Sequence, residues 1–244
     1  MITQANVDVL RELHSGAELL VLPNVWDAVS ARTVASVPGC RAVATASWSV
    51  AASLGRPDGE ALTRDEMLGA VERIVHAVPG LPVTADLEGG YGDVASTMAL
   101  ARAIGVAGCN LEDGIAESTP RPLDEAVERV GAAVASGLVV NARTDAYLAG
   151  VDGAFDVAVE RGRAYVAAGA DCVFVPGVQD LDVVRELVRA IGPVSVLSPV
   201  ADAPLAELRA LGVRRVSFGP GTLRVAMAAL TDAATALLSP GSSG

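Results

Sequence analysis

"LPVTADLEGGYGD", residues 81–93, sets a short apolar run against two carboxylates and a glycine-rich turn. Its first half reads as a strand that ends at Asp86 and Glu88. These acids stand two apart, so on a strand they share a face. Charge is expensive where a strand is buried. The pair can hold a metal, perform acid–base work, or sit in solvent, and the residues alone leave these readings open.

Similar β-rich runs recur on both sides of this stretch. They are "ELLVLP" (18–23), "AVATAS" (42–47), "PVTADLE" (82–88), "GCNLED" (108–113), "LVVNARTD" (138–145), "DCVFVP" (171–176), "PVSVLS" (193–198) and "RRVSFG" (214–219). Helical patterns alternate with them. In "TRDEMLGAVERIVHAV" (63–78), Thr63 and Glu66 have capping-box spacing, and Met67, Leu68, Val71, Ile74, Val75 and Val78 make an apolar stripe. Residues 181–190 and 222–238 follow the same logic. Eight strand–helix units predict an α/β fold, a (β/α)8 TIM barrel. Its strands are continuously apolar because both faces are covered. An open doubly wound sheet is the alternative, but its G-x-G-x-x-G fingerprint is missing after the first strand. An extra N-terminal helix at 2–14 is expected to cap the barrel's bottom. One domain is expected over residues 1–240, with a disordered tail at 241–244.

Composition narrows the partners. The chain has 244 residues, 51% hydrophobic and only 3% aromatic, which is ample for one core of Ala, Val and Leu. A net charge of −11 disfavours nucleic acid. Lysine is absent, which excludes a Schiff-base or P-loop lysine. Cys40, Cys109 and Cys172 are scattered in apolar surroundings and read as buried small hydrophobes. No uninterrupted apolar run reaches the ~18 residues of a membrane helix, and the N-terminus lacks a signal-peptide pattern. A cytoplasmic protein with no membrane partner is expected.

In a barrel, chemistry gathers where the strands end. Asp86, Glu88, Glu112, Asp113, Arg143 and Asp145 therefore all belong to one mouth. Asp86, Glu88 and Glu112 on neighbouring strands would repel without a cation, and a hard divalent ion with oxygen ligands removes that conflict. The two histidines, His14 and His76, fall on helical segments, which argues against zinc. Arg143 lies inside an apolar strand and needs a partner, either Glu112 or a substrate carboxylate. Asn141, two residues earlier, shares its face. Ser47 and Trp48 could offer backbone N–H groups to an oxyanion. Asp58, in "GRPDG", reads as a turn residue on composition alone.

The motifs "PNVWDAVSAR", "TASWSVAASLGRPD", "ADLEGGYGD", "GCNLEDG" and "VNARTDAYL", in that order, resemble the isocitrate lyase/phosphoenolpyruvate mutase superfamily over roughly residues 17 to 225. That resemblance implies a (β/α)8 barrel using Mg²⁺, or Mn²⁺ in its place. It also implies C–C or P–C bond chemistry beside a 2-oxo acid, through an enolate held on the metal. By the same resemblance Asp86 is the direct metal ligand, with Glu88 and Glu112 holding the ion through waters. Glu88 stands where the family usually has Asp. Arg143 binds the substrate carboxylate or the departing group, Asp58 lies near the reacting centre, and Ser47 and Trp48 grip the oxo acid. Asn110 and Asn141 complete the substrate set, and Asp58, Arg143 and Glu112 the catalytic one.

The chain departs from the family after the fourth strand. Isocitrate and methylisocitrate lyases carry K-[KR]-C-G-H there, whereas "EDGIAESTPRPL" (112–123) has no Cys, Lys or His. Only Glu117, Ser118, Thr119 and Arg121 remain as polar lid groups. The expected function is a Mg-dependent carbon–carbon lyase or hydrolase acting on a small 2-oxo acid or substituted malate-type dicarboxylate. Phosphoenolpyruvate mutase or phosphonopyruvate hydrolase-type chemistry is the alternative, and a 2-oxo-acid binding protein with little catalysis a third. A homo-oligomer, dimer or tetramer, is implied, although the short stretch after the eighth strand departs from members that exchange C-terminal helices.

Overall fold

The computed structural model describes residues 4–115 and 119–239. The expected tail 241–244, the first residues of the expected 2–14 helix, and the lid residues Glu117 and Ser118 lie outside the described residues. Within them the chain alternates strand and helix as the sequence predicts. The strands are β1 (Leu20–Leu22), β2 (Asn24–Val25), β3 (Val43–Thr45), β4 (Val83–Asp86), β5 (Gly108–Glu112), β6 (Gly114–Ile115), β7 (Thr119–Pro120), β8 (Val139–Arg143), β9 (Cys172–Phe174), β10 (Val194–Leu197) and β11 (Arg215–Ser217). The helices are α1 (Gln4–Ser15), α2 (Ala28–Ala35), α3 (Ser47–Ser53), α4 (Arg64–Ala77), α5 (Val94–Ala103), α6 (Leu123–Ala135), α7 (Ala154–Ala167), α8 (Leu181–Ile191), α9 (Leu205–Ala210) and α10 (Gly221–Leu238).

The parallel sheet runs β1-β11-β10-β9-β8-β5-β4-β3-β2. The expected strand at 18–23 appears as β1, and the chain goes on past Pro23, which has no N–H for a ladder, into a second short strand, β2. Leu20 N–H donates to Arg214 O on one side, and Ala44 N–H donates to Pro23 O on the other. The chain itself therefore joins the two ends of the sheet into a barrel. The antiparallel pair β6–β7 stands outside this ring.

Two apolar clusters hold the barrel. The larger lies between strands and helices. It uses the α4 stripe Met67, Leu68, Val71, Ile74 and Val75 against strand residues such as Val43, Val83 and Ala85. Thr63 and Glu66 form the expected capping box, which fixes where α4 begins. The smaller cluster is a plug. Val7, Leu10 and Leu13 of α1 pack against Leu20, Leu22, Ala42, Ala44, Ala107 and Val139. Gly108 permits this approach, since a Cβ there would sit 2.7 Å from both Leu10 Cδ2 and Val139 O. Helix α1 thus closes the bottom of the barrel, leaving the strands' C-terminal ends as the open mouth.

Helix α10 differs from the other helices. Only Leu223 is buried along it, while Val225, Met227, Leu230, Leu237 and Leu238 are exposed. Its length and composition equal those of a membrane span, with Arg224 and Asp232 interrupting the apolar run.

Candidate active site

Burial continues past the end of β4, through Leu87 and Glu88, and the strand's last residue is Asp86. Its backbone N–H donates to Thr45 Oγ1 at 2.8 Å, and its Oδ2 accepts the Ser47 backbone N–H at 3.0 Å. Oδ1 is buried and has no partner among the described residues. Leaving a buried carboxylate oxygen unmatched is costly. The first amide of α3 is therefore spent on orienting Asp86 and does not stand free for an oxo acid.

Glu88 takes a different part. Its Oε1 accepts the Tyr91 hydroxyl at 2.6 Å, and its Oε2 accepts the Glu60 backbone N–H. Glu60 Oε1 in turn accepts the Tyr91 N–H at 2.8 Å. Glu60, Glu88 and Tyr91 all have φ between 51° and 56°, a conformation that costs of order 1 kcal/mol or more per residue. Three strained residues thus stabilise one another at the rim. Burial pushes the Glu88 carboxyl above its usual range, with Tyr91 and Glu60 pulling the other way. The turn expected at residues 89–92 is real at Gly90 and Gly92, where φ is +86° and +82°. At Gly90 a Cβ would also sit 2.9 Å from Val94 Cγ2.

Strand register carries the charged centre. Glu112 pairs with Arg143, and Asn110 with Asn141. Arg143 Nη1 lies 2.7 Å from Glu112 Oε2, and Nε lies 2.6 Å from Asp145 Oδ1. Burial lifts the Glu112 carboxyl to about 8, although Arg143 opposes the shift. Burial lowers the Arg143 pKa, but Glu112 and Asp145 outweigh it and hold the guanidinium charged. Asp145 is raised by burial, again against Arg143.

Asp113 corrects the sequence-based mouth. Its Oδ2 accepts Arg161 Nη1 at 2.9 Å and Tyr165 OH at 2.6 Å, both from α7, and its Oδ1 accepts the Asp145 N–H. It faces the surrounding helices and braces the site from behind. It also helps tie down the segment before α6, because Asp113 O accepts the Arg121 N–H and Arg161 Nη2 donates to Arg121 O at 2.5 Å.

Asn110 and Asn141 sit lower, inside the barrel. Asn141 Nδ2 and Arg215 Nη2 both donate to Asn110 Oδ1, at 2.9 and 3.1 Å. Arg215 is 1% exposed and has no ion pair among the described residues, and burial pulls its pKa down to about 10. The sequence reading missed this cation, although "RRVSF" places an arginine inside a strand just as "VVNARTD" does. It also missed the Glu60–Tyr91 support, which only the turn conformation brings together.

Above these groups lies a cavity of about 770 Å³, with Asp58, Glu60, Glu88, Glu112 and Asp145 facing Arg121 and Arg143 in its lining. Asp58 stands at the exposed rim. The surrounding protein raises its carboxyl pKa through lost solvation, while the Ser47 hydroxyl lowers it. Trp48 does not line this cavity; its ring lies under the Arg224 guanidinium of α10, 5.1 Å from the ring centroid.

Five carboxylates against two guanidiniums suit a cation. Among the described residues no three His, Cys, Asp or Glu side chains form a ready-made ligand cluster. The orphaned Asp86 Oδ1 would supply one direct oxygen to such an ion, and Glu88 and Glu112 would act through water. Such a site suits Mg²⁺, which keeps several waters and takes one or two carboxylates.

The phosphoenolpyruvate phosphomutase family model matches residues 10–238. An uncharacterized protein of Mycobacterium tuberculosis is 37% identical over 231 residues, covering 93% of this chain and 87% of that one. The 2,3-dimethylmalate lyase of Eubacterium barkeri is 32% identical over 249 residues, covering 93% and 84%. Among solved structures, oxaloacetate acetylhydrolase in complex with its product oxalate superposes with a TM-score of 0.88 at 30% identity, covering 98% of this chain and 89% of that one. The chain belongs to the phosphoenolpyruvate phosphomutase family, within the isocitrate lyase/PEP mutase superfamily of barrel enzymes.

Proposed function

We propose that the protein is a Mg²⁺-dependent carbon–carbon lyase or hydrolase acting on a small 2-oxo acid or a malate-type dicarboxylate. The observation that carries this reading is Asp86 at the C-terminal end of β4, whose buried Oδ1 lacks a partner among the described residues; acids and two arginines line the nearby cavity, Asp86 itself not being part of that lining. The lyase and acetylhydrolase relatives support carbon–carbon chemistry, while the family description and a phosphonomutase structure at 42% identity keep P–C chemistry as the second reading.

Asp86 would hold the ion directly, with Glu112 and Glu88 as outer partners. When bound, Mg²⁺ supplies Lewis-acid stabilisation of negative charge on the oxo oxygen. The Ser47 N–H keeps Asp86 Oδ2 fixed, which leaves Oδ1 as the oxygen that would hold the ion. Arg143 is held in place by Glu112 and Asp145 through Nη1 and Nε, which leaves Nη2 for a substrate oxygen. Asp58, with its raised pKa, is the group placed to hold the proton exchanged with the substrate's methylene carbon.

The test is a panel of oxaloacetate, 2,3-dimethylmalate and phosphonopyruvate with Mg²⁺, read by release of 2-oxo acid and by ³¹P NMR. Turnover of a carbon acid that disappears with chelator and in Asp86→Ala is expected. Turnover undiminished in Asp86→Ala contradicts the scheme. Reaction of phosphonopyruvate alone would move the assignment to P–C chemistry, the reading that the family's own description favours.

A further inference from the structure

Arg143 is the cation that the sequence assigns to the substrate, yet Glu112 and Asp145 already occupy its Nη1 and Nε. The cavity has a second guanidinium, that of Arg121. Its ion pair is with Glu125, one helical turn along α6, at 2.8 Å from Nη1. That carboxylate is 43% exposed, and pairs of this kind are weak. Arg121 Nε is buried without a partner among the described residues. Nη2 lies across Gly89, 3.6 Å from the point a Cβ would occupy there. A second arginine, Arg129, stands close enough for Arg121 to lower its pKa, after burial itself. Arg129 donates Nη2 to Gly89 O, and its Nε too has no partner among the described residues.

Two guanidiniums side by side repel, and spare buried donors are costly unless something accepts from them. The Arg121 backbone is clamped at both its N–H and its O, so the side chain leaves a fixed point. We propose that Arg121 binds a second anionic group of the substrate, at the end remote from the ion, and so makes the site selective for dianionic 2-oxo acids. The inference rests on the reading of the site as a 2-oxo-acid enzyme. It names the substrate class by its charge: a carboxylate or phosphonate carried on the carbon beyond the oxo group. A planar fork suits either group, and a lysine would meet it only as a point charge.

The experiment measures binding by calorimetry with saturating Mg²⁺ to the full chain. Three probes are used: pyruvate, which has no remote anion; 3,3-difluorooxaloacetate, which has a remote carboxylate; and phosphonopyruvate, which has a remote phosphonate. The wild type is expected to favour at least one dianionic probe over pyruvate by about tenfold or more. Arg121→Gln is expected to erase that preference and leave pyruvate binding within about twofold, and Arg121→Lys to keep part of it. Which dianion loses affinity identifies the remote group. Glu125→Gln breaks the ion pair while keeping the guanidinium, and should preserve the preference. A preference that survives Arg121→Gln overturns the proposal, as does a loss reproduced by Glu125→Gln. A wild type that binds none of the three probes overturns the 2-oxo-acid reading itself.

Discussion

Arg143 Nη1 lies 2.7 Å from Glu112 Oε2, while the same guanidinium reaches Asp145 Oδ1 through Nε at 2.6 Å. One cation therefore joins the ends of β5 and β8 and the loop that follows. Removing it strands two acids whose side chains are only 20% and 13% exposed. Breaking a buried pair from one side costs about 3–5 kcal/mol, and the partial exposure here points to the lower end. Arg143→Met should lower the melting temperature and abolish turnover together. Arg143→Lys should recover part of the stability but little activity, because one ammonium cannot span both carboxylates. An unchanged melting curve for Arg143→Met would show that the pair contributes nothing.

The Glu112 carboxyl gives a pH signature. Burial lifts it from 4.5 to about 8 against the pull of Arg143, so a proton competes for it near neutral pH. A cation that draws on its carboxylate must displace that proton. Mg²⁺ affinity should therefore rise with pH through the window up to about 8 and level off above it. Calorimetry in buffers of differing ionisation enthalpy should detect a released proton below that point. Glu112→Gln should flatten the profile. An affinity that stays constant across the window in the wild type would remove Glu112 from the ion's surroundings.

Much of this was legible in the chain. The eight apolar runs gave the barrel because parallel strands covered on both faces leave an unbroken hydrophobic signature. Thr63 and Glu66 gave the start of α4 because a capping box is a local device. Asp86, Glu112 and Arg143 were legible because strand ends are where a barrel keeps its chemistry. Asp113 was misplaced for a related reason. Alternation along β5 predicts its neighbours, but beyond Glu112 the chain leaves the strand, and Asp113 turns to Arg161 and Tyr165 of α7. Those partners lie 48 and 52 residues away, and no local pattern announces them. The Glu60–Glu88–Tyr91 support was hidden because it depends on positive φ at residues that are not glycine.

His14 offers a test remote from the mouth. It lies on α1, where its Nδ1–H donates to Leu10 O at 2.8 Å and its Nε2 is buried without a partner among the described residues. Burial, with help from Arg215, lowers its pKa from 6.5 to about 4. The folded state then binds fewer protons than the unfolded state between those values. The His14 contribution to stability is full above about 6.5 and is lost progressively as pH falls to about 4. It amounts to about 3 kcal/mol at most. His14→Met should remove that part of the acid sensitivity, seen as a shallower fall of denaturant midpoint across the window. Parallel curves for the two proteins would show that His14 is protonated at little cost in the fold.

Helix α10 points to self-association. Met227, Leu230, Ala234 and Leu237 fall at i, i+3, i+7 and i+10, so they share one face. The three large side chains among them are 45%, 61% and 79% exposed. Contiguous apolar surface of this kind marks an interaction site. A second copy of the chain is the partner we expect, since a symmetric pair can bury the same stripe twice. Arg224, which stacks on Trp48, ties the start of this helix to the residue following Ser47 at the mouth. The wild type should therefore sediment as a dimer or larger assembly. Leu230→Glu with Leu237→Glu should shift it to monomer while the barrel's far-ultraviolet circular dichroism stays unchanged. Binding of the wild type to lipid vesicles with no self-association in solution would assign the stripe to a membrane surface. A monomeric wild type that binds no vesicles would leave α10 without the partner expected here.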